Sequence, residues 1–128
     1  MIKELENLDI INNISNYKPT KNAFNKIYIY YYENEIIGYI DYSIMYEQAE
    51  LNYIFIKEKY RNMGYAKKLI EYMLNDLIEK NIQSITLEVS CKNTKAKNLY
   101  QKYEFKKIGI REKYYNGIDA ILMIKRWW

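Results

Sequence analysis

The hydrophobic period of this chain changes abruptly near residue 60. Residues 51–56 read Leu-Asn-Tyr-Ile-Phe-Ile, a run rich in β-branched and aromatic side chains that predicts a buried strand. From Tyr65 to Lys80 the apolar residues Ala66, Leu69, Ile70, Met73, Leu77 and Ile78 fall three or four apart, the inner face of an amphipathic helix. Asn81 fits the left-handed stop of that helix. Residues 84–89 then return as a second buried strand. A strand–helix–strand crossover of this kind gives a parallel strand pair in one sheet.

The flanking segments fill in the rest. Residues 2–5 predict a short strand, and Asn7 caps a helix over 8–15 with Leu8, Ile11 and Ile14 at helical spacing. Residues 17–24 contain the only proline, Pro19, and read as loop. Residues 26–33, 36–45 and 50–56 predict an antiparallel meander with a turn at Asn34-Glu35. A second amphipathic helix spans 94–103, with Ala96, Leu99, Tyr100 and Tyr103 inward. Residues 106–114 and 118–125 form a last hairpin around Asn116-Gly117, a strong turn dipeptide. The fold class expected is α/β, a mixed and mostly antiparallel central sheet with flanking helices. With 128 residues and no repeat or linker, a single domain over 1–128 is expected.

Composition removes several chemistries. The chain has no histidine and one cysteine, Cys91. A Ser-His-Asp triad and any His-containing zinc site are excluded, so proton transfer falls to carboxylates, tyrosines, lysines or water. No metal is expected. A lone cysteine forms no internal disulfide and suits a reducing compartment. Residues 1–4 start neither a signal nor a transit peptide, and no apolar run approaches the ~18 residues of a membrane span. The expected localisation is cytoplasmic. The net charge of +4 and pI of 8.9 favour an anionic ligand, without the basic cluster of a nucleic-acid binder. The densest cationic group, Lys57, Lys59, Arg61, Lys67 and Lys68, reads as a solvated helix end or as an attractor of that anion.

The most informative stretch is the loop Arg61-Asn62-Met63-Gly64-Tyr65-Ala66 between strand and helix. The first amides of a helix lack intrahelical partners, and the helix dipole adds positive character there. A pyrophosphate fits such a place. Gly64 removes the Cβ where a phosphate would approach, and Ala66 keeps the next turn small. The string lacks the Gly-Lys-Ser/Thr ending of a P-loop and two of the three glycines of a dinucleotide fingerprint. By itself it is equally readable as a loop with a turn glycine.

Arg61-Asn-Met-Gly-Tyr-Ala66 resembles the acyl-CoA pyrophosphate signature of the GNAT superfamily, Q/R-x-x-G-x-G/A. Leu87-Glu-Val-Ser-Cys-Lys-Asn93, Ala96, Leu99-Tyr100, Phe105, Gly109, Arg111, Tyr114-Tyr115, Asp119-Ala120 and Met123 are similar to the bacterial ribosomal-protein-alanine N-acetyltransferases. The likeness runs over residues 35–125. It implies the GNAT fold with a splayed strand pair, acetyl-CoA as co-substrate, and a primary amine as acceptor, foremost a ribosomal protein N-terminus. The small-molecule alternatives are an antibiotic or a polyamine, and a non-catalytic CoA-binding or ribosome-associated module is a third possibility.

By position, the resemblance assigns the pantetheine arm to backbone groups of Ile54, Phe55 and Ile56. The pyrophosphate falls to Arg61, Asn62, Met63, Gly64, Tyr65, Ala66 and Lys67, with a further cofactor contact at Asn93. Glu88 matches the general base and Tyr100 the general acid. The Ile56 amide would stabilise an oxyanion if a bulge freed it from the ladder. Each has a plainer reading: a strand-end carboxylate for Glu88, core packing for Tyr100, helix capping for Asn93. Cys91 is the wrong residue type for direct transfer. Two departures stand out. Glu104-Phe105 replaces the family's Gly-Phe, and the acceptor-side N-terminal region is short and lacks the family's tryptophan motif. Trp127-Trp128 are expected to pack on a neighbouring strand or at an oligomer contact, in a monomer or homodimer.

Overall fold

A computed structural model of the chain describes residues 1–12, 14–15, 17, 19 and 23–127, without the side chain of Tyr115. Seven strands make one sheet: β1 (Ile2–Glu4), β2 (Asn25–Tyr32), β3 (Glu35–Met45), β4 (Gln48–Ile56), β5 (Ser84–Ser90), β6 (Lys106–Tyr115) and β7 (Ile118–Arg126). Their spatial order is β1-β2-β3-β4-β5-β7-β6. Only β4 and β5 run parallel; the other described neighbours are antiparallel. Helix α1 (Tyr65–Glu79) crosses between β4 and β5, and α2 (Thr94–Lys102) follows β5.

Two hydrophobic clusters lie on opposite faces of the sheet. On one, Leu69, Ile70, Met73, Leu74 and Leu77 of α1 are buried against Ile37, Ile40, Tyr42, Leu51, Ile85 and Leu87. Each such side chain contributes roughly 1.5–3 kcal/mol relative to exposure. Tyr100, Phe105 and Met123 join this cluster, and Trp127 packs on it as expected; Trp128 lies outside the described residues. On the other face, Leu5, Ile11, Ile27, Ile29 and Tyr39 form the second cluster, with Tyr17, Tyr53 and Phe55 packed against it.

The structure corrects several details. The helix expected over 8–15 is a 3-10 turn at Leu8–Ile10, capped by the Asn7 side chain on the Asp9 amide. Ile11 is fully buried beyond it, so the segment serves as a plug rather than a regular helix; Asn13 lies outside the described residues. The first hairpin turns at Glu33-Asn34, one residue earlier than expected, with φ of 50° and 66°. That is the paired positive-φ geometry that suits the twist of two-residue hairpins. On α1 the inner face includes Leu74, whereas Ile78 is 53 % exposed and Ala66 only partly buried. On α2, Tyr100 is buried while Ala96, Leu99 and Tyr103 are half-buried. Asn81 does stop α1 at φ 57°, and Asn116-Gly117 turns the last hairpin at φ 47° and 83°.

Candidate active site

Strands β4 and β5 pair only at Gln48–Ser84, Ala49–Ile85 and Glu50–Thr86, and then part. The reason lies on the other edge of β4. Tyr42 faces Leu51 and Asp41 faces Tyr53, leaving Asn52 as an extra residue, a β-bulge. A bulge bends its strand and increases local twist. It also swaps the direction of every peptide group beyond it. The Lys57 amide donates to Ile37 O at 2.8 Å. By the alternation of an antiparallel ladder, Phe55 therefore engages Tyr39, and the peptide groups of Ile54 and Ile56 face the gap. Without the slip at Asn52 they would be spent on β3. The Ile56 amide is thus turned away from β3, and the bulge that does this sits four residues upstream of it.

Close approach of β3 supports this wall. A Cβ on Gly38, opposite Ile56, would lie 2.1 Å from Phe55 O. Arg61 Nε donates to Ile56 O at 2.8 Å, and its guanidinium lies over the Phe55 ring. The loop arginine thus holds the strand end.

The parting strands enclose a cavity of about 950 Å³. Ile54, Phe55, Ile56, Arg61, Asn62, Gly64, Tyr65, Ala66, Lys67 and Asn93 all line it, as do Glu88 and Tyr100; of the residues singled out from sequence, only Met63 lies off the wall, 62 % exposed. At one end is the start of α1. Gly64 takes φ +87° as its N-cap, no side chain caps the helix, and its first turn holds no acidic residue. The opening amides therefore face the cavity with only the helix dipole behind them. Lys67 lies in the first turn of α1, and Lys95 Nζ, also on the cavity wall, donates to Asn62 Oδ1 of the loop. Asn93 caps α2 through the Ala96 amide at 3.1 Å and also lines the cavity.

At the other end Glu88 and Tyr100 enter from opposite faces of the sheet. Leu87 and Val89 point to the helix-covered face, so Glu88 points to the other. Tyr100 comes from the helix side, 6 % exposed and edge-on to Phe105. The gap pierces the sheet between them. Arg111 Nη2 reaches over β7 to Glu88 Oε1 at 3.0 Å and lies over the Tyr114 ring. Sequence reading used Arg111 only as part of a resemblance and missed Lys95 and Asn52 altogether. The one available signal for Asn52 was a polar residue in an otherwise apolar strand.

The profile of the Acetyltransferase (GNAT) family matches residues 4–105. This chain belongs to that family. A [ribosomal protein bS18]-alanine N-acetyltransferase of Haemophilus ducreyi is 33 % identical to this GNAT chain over 88 residues, 69 % of the chain and 61 % of the relative. The chain spans about three fifths of the length of the curated relatives it matches. The ribosomal-protein-S18-alanine N-acetyltransferase of Escherichia coli superposes with a TM-score of 0.91 at 21 % identity, covering 98 % of this chain and 92 % of that one. A GNAT acetyltransferase from Elizabethkingia anophelis, solved with acetyl-CoA bound, gives a TM-score of 0.75 at 24 % identity over 80 % of this chain and 76 % of its own. At these identities the superpositions speak for the GNAT fold. Among the described residues no cluster of His, Cys, Asp and Glu suits a metal ion, and no helix is long and apolar enough to cross a membrane.

Proposed function

We propose that this chain is an acetyl-CoA-dependent N-acetyltransferase whose acceptor is a protein N-terminal α-amine, of the ribosomal-protein-alanine type named for its relatives. The observation that carries this is the gap itself. It runs from uncapped helix amides flanked by Lys67 and Lys95 to a carboxylate and a phenol on opposite sides of the sheet. The cationic end takes the diphosphate of the cofactor. The outward peptide group of Ile54 and the amide of Ile56, whose carbonyl Arg61 holds, lie alongside the amide-bearing pantetheine arm and aim the thioester at Glu88 and Tyr100.

The chemistry follows from the placement. An α-amine has a pKa of about 8 and attacks in its neutral form, and one of its N–H protons becomes strongly acidic as nitrogen bonds to the thioester carbon. Glu88, directly or through water, takes that proton as the N–C bond forms. The Ile56 amide faces the developing oxyanion. As the C–S bond breaks, Tyr100 gives its proton to the departing thiolate. Holding both reactants in line supplies much of the acceleration. A ribosomal acceptor would place the activity in the cytoplasm.

Incubation with acetyl-CoA and peptides beginning with alanine, read by mass spectrometry, should show a gain of one acetyl group at the α-amine. Glu88→Gln and Tyr100→Phe should each lower kcat about 10²- to 10⁴-fold while calorimetry still detects CoA. Transfer only to an antibiotic or polyamine amine would reject the peptide acceptor. Unaltered kinetics in both variants would reject the two catalytic roles.

A further inference from the structure

We infer that Asn52 is a binding residue for the acceptor amine, aimed by the buried carboxylate of Asp41; the inference rests on the acetyl-transfer reading above. Asp41 is 1 % exposed. It accepts from Tyr17 Oη at 2.8 Å, Asn25 Nδ2 at 3.2 Å and Asn52 Nδ2 at 3.2 Å. Among the described residues no ammonium or guanidinium pairs with it. A buried charge met only by neutral donors is expensive, and an apolar residue would pack the same site at lower cost. What a carboxylate does and an apolar side chain does not is fix the direction of a neighbouring amide.

Asn52 donates through Nδ2 to Asp41 Oδ1, so its NH₂ group is turned toward the carboxyl group. The second hydrogen of that group goes to Ser43 Oγ at 2.8 Å. Both donors of Asn52 are therefore used inside the sheet. Its Oδ1 is left pointing away from them, and no donor among the described residues reaches it. Asn52 lines the cavity. Tyr53, next to it on the wall, carries the Tyr17 ring stacked on it at 4.3 Å.

Asn52 and Glu88 both line the cavity just past the point where β4 and β5 part. The last β4–β5 rung is Glu50–Thr86, and two residues further along each strand come Asn52 and Glu88. Both side chains stand on the sheet face opposite the helices. Asn52 bonds to Asp41 there, and Glu88 alternates with Leu87 and Val89. The apex of the gap thus carries one amide oxygen and one carboxylate. A primary amine has two N–H donors and one lone pair. With one N–H on Asn52 Oδ1 and the other directed at Glu88, the lone pair is left to face the thioester carbon. Asn52 then holds the nitrogen while Glu88 removes its proton.

The test compares Asn52→Ala and Asp41→Asn with the wild-type protein, using a hexapeptide beginning with alanine and, in parallel, spermidine. Asn52→Ala removes the oxygen. Asp41→Asn keeps the shape of the site but supplies an amide that no longer dictates the orientation of Asn52. The KM for the acceptor should rise roughly three- to tenfold in Asn52→Ala and by a smaller factor in Asp41→Asn, as for loss of one hydrogen bond. The KM for acetyl-CoA should stay within about twofold. Unchanged acceptor KM in both variants overturns the inference, and so does a parallel rise in both KM values, the mark of a loosened β4. If the wild-type protein acetylates neither probe while still binding CoA, the transferase reading fails first and the inference with it, a result distinct from normal turnover by the variants.

Discussion

Asp76 on α1 shows how single residues tie the helix to the sheet. Tyr42 Oη on β3 donates to Asp76 Oδ2 at 2.6 Å, and Lys80 Nζ lies 2.8 Å from Oδ1. Burial pushes the Asp76 carboxyl up, but the bonds from Lys80 and Tyr42 outweigh it and hold it below its ordinary value. Burial, with Asp76 beside it, drives the Tyr42 phenol well above its own. A carboxyl lowered in the folded state stabilises fully above its unfolded pKa of about 4, and that contribution disappears as pH falls through the folded value. Acid should therefore weaken the protein below about pH 4 partly through this group. Asp76→Asn should flatten the stability profile at the acid end in denaturant titrations at successive pH values. Tyr42→Phe, which strips one donor from Asp76, should cost about 1–2 kcal/mol near neutral pH. Glu88 and Tyr100 are also single residues, but the sequence could number them without showing that they meet from opposite faces.

Among the elements, the β3–β4 pair and the start of α1 make separable demands on glycine. Gly38 sits where β4 comes so close that a Cβ would meet Phe55 O at 2.1 Å. Backbone cannot swing aside as a flexible side chain can, so Gly38→Ala should destabilise by about 3 kcal/mol or more. Gly64 has nothing within 4 Å of an added Cβ, but its φ is +87°. Gly64→Ala should therefore cost only about 1–2 kcal/mol of stability, the penalty of the left-handed conformation. Its larger effect should be on CoA affinity, because the new methyl occupies the approach to the α1 amides. Denaturation and calorimetry on the two variants should give crossed results, the first losing mainly stability and the second mainly binding.

At the scale of the molecule, the cavity parts the sheet between β1–β4 and β5–β7, which stay joined by three β4–β5 rungs and by α1, buried in one core with residues of both. A cofactor in the gap bridges the two parts. At 100 times its Kd, CoA should add about 2.7 kcal/mol to the stability, or roughly 10 °C in Tm for a chain of this length. Amides at the end of β4 and the start of α2 should gain most hydrogen-exchange protection. The affinity should fall as salt rises, the behaviour expected of phosphates bound beside exposed lysines such as Lys67 and Lys95 on the cavity wall.

Residue pattern alone determined the order of strands and helices, the parallel crossover, the loop at Gly64 and the stops at Asn81 and Asn116-Gly117. These follow from local periods and backbone preferences that need no distant partner. The short 3-10 turn near residue 8 escaped it because the burial of Ile11, not helical spacing, shapes that segment. Tertiary structure decided where the strands part. Residues 53–56 are apolar on both faces, so their pattern carries no phase, and only the pairing with β3 shows that Asn52 is the extra residue. That slip turns the Ile54 peptide group and the Ile56 amide to the gap and leaves Asn52, like Glu88, on the cavity wall. The Arg111–Glu88 pair, the Lys95–Asn62 contact and the aim of Asp41 join residues distant along the chain, and no local pattern specifies such contacts.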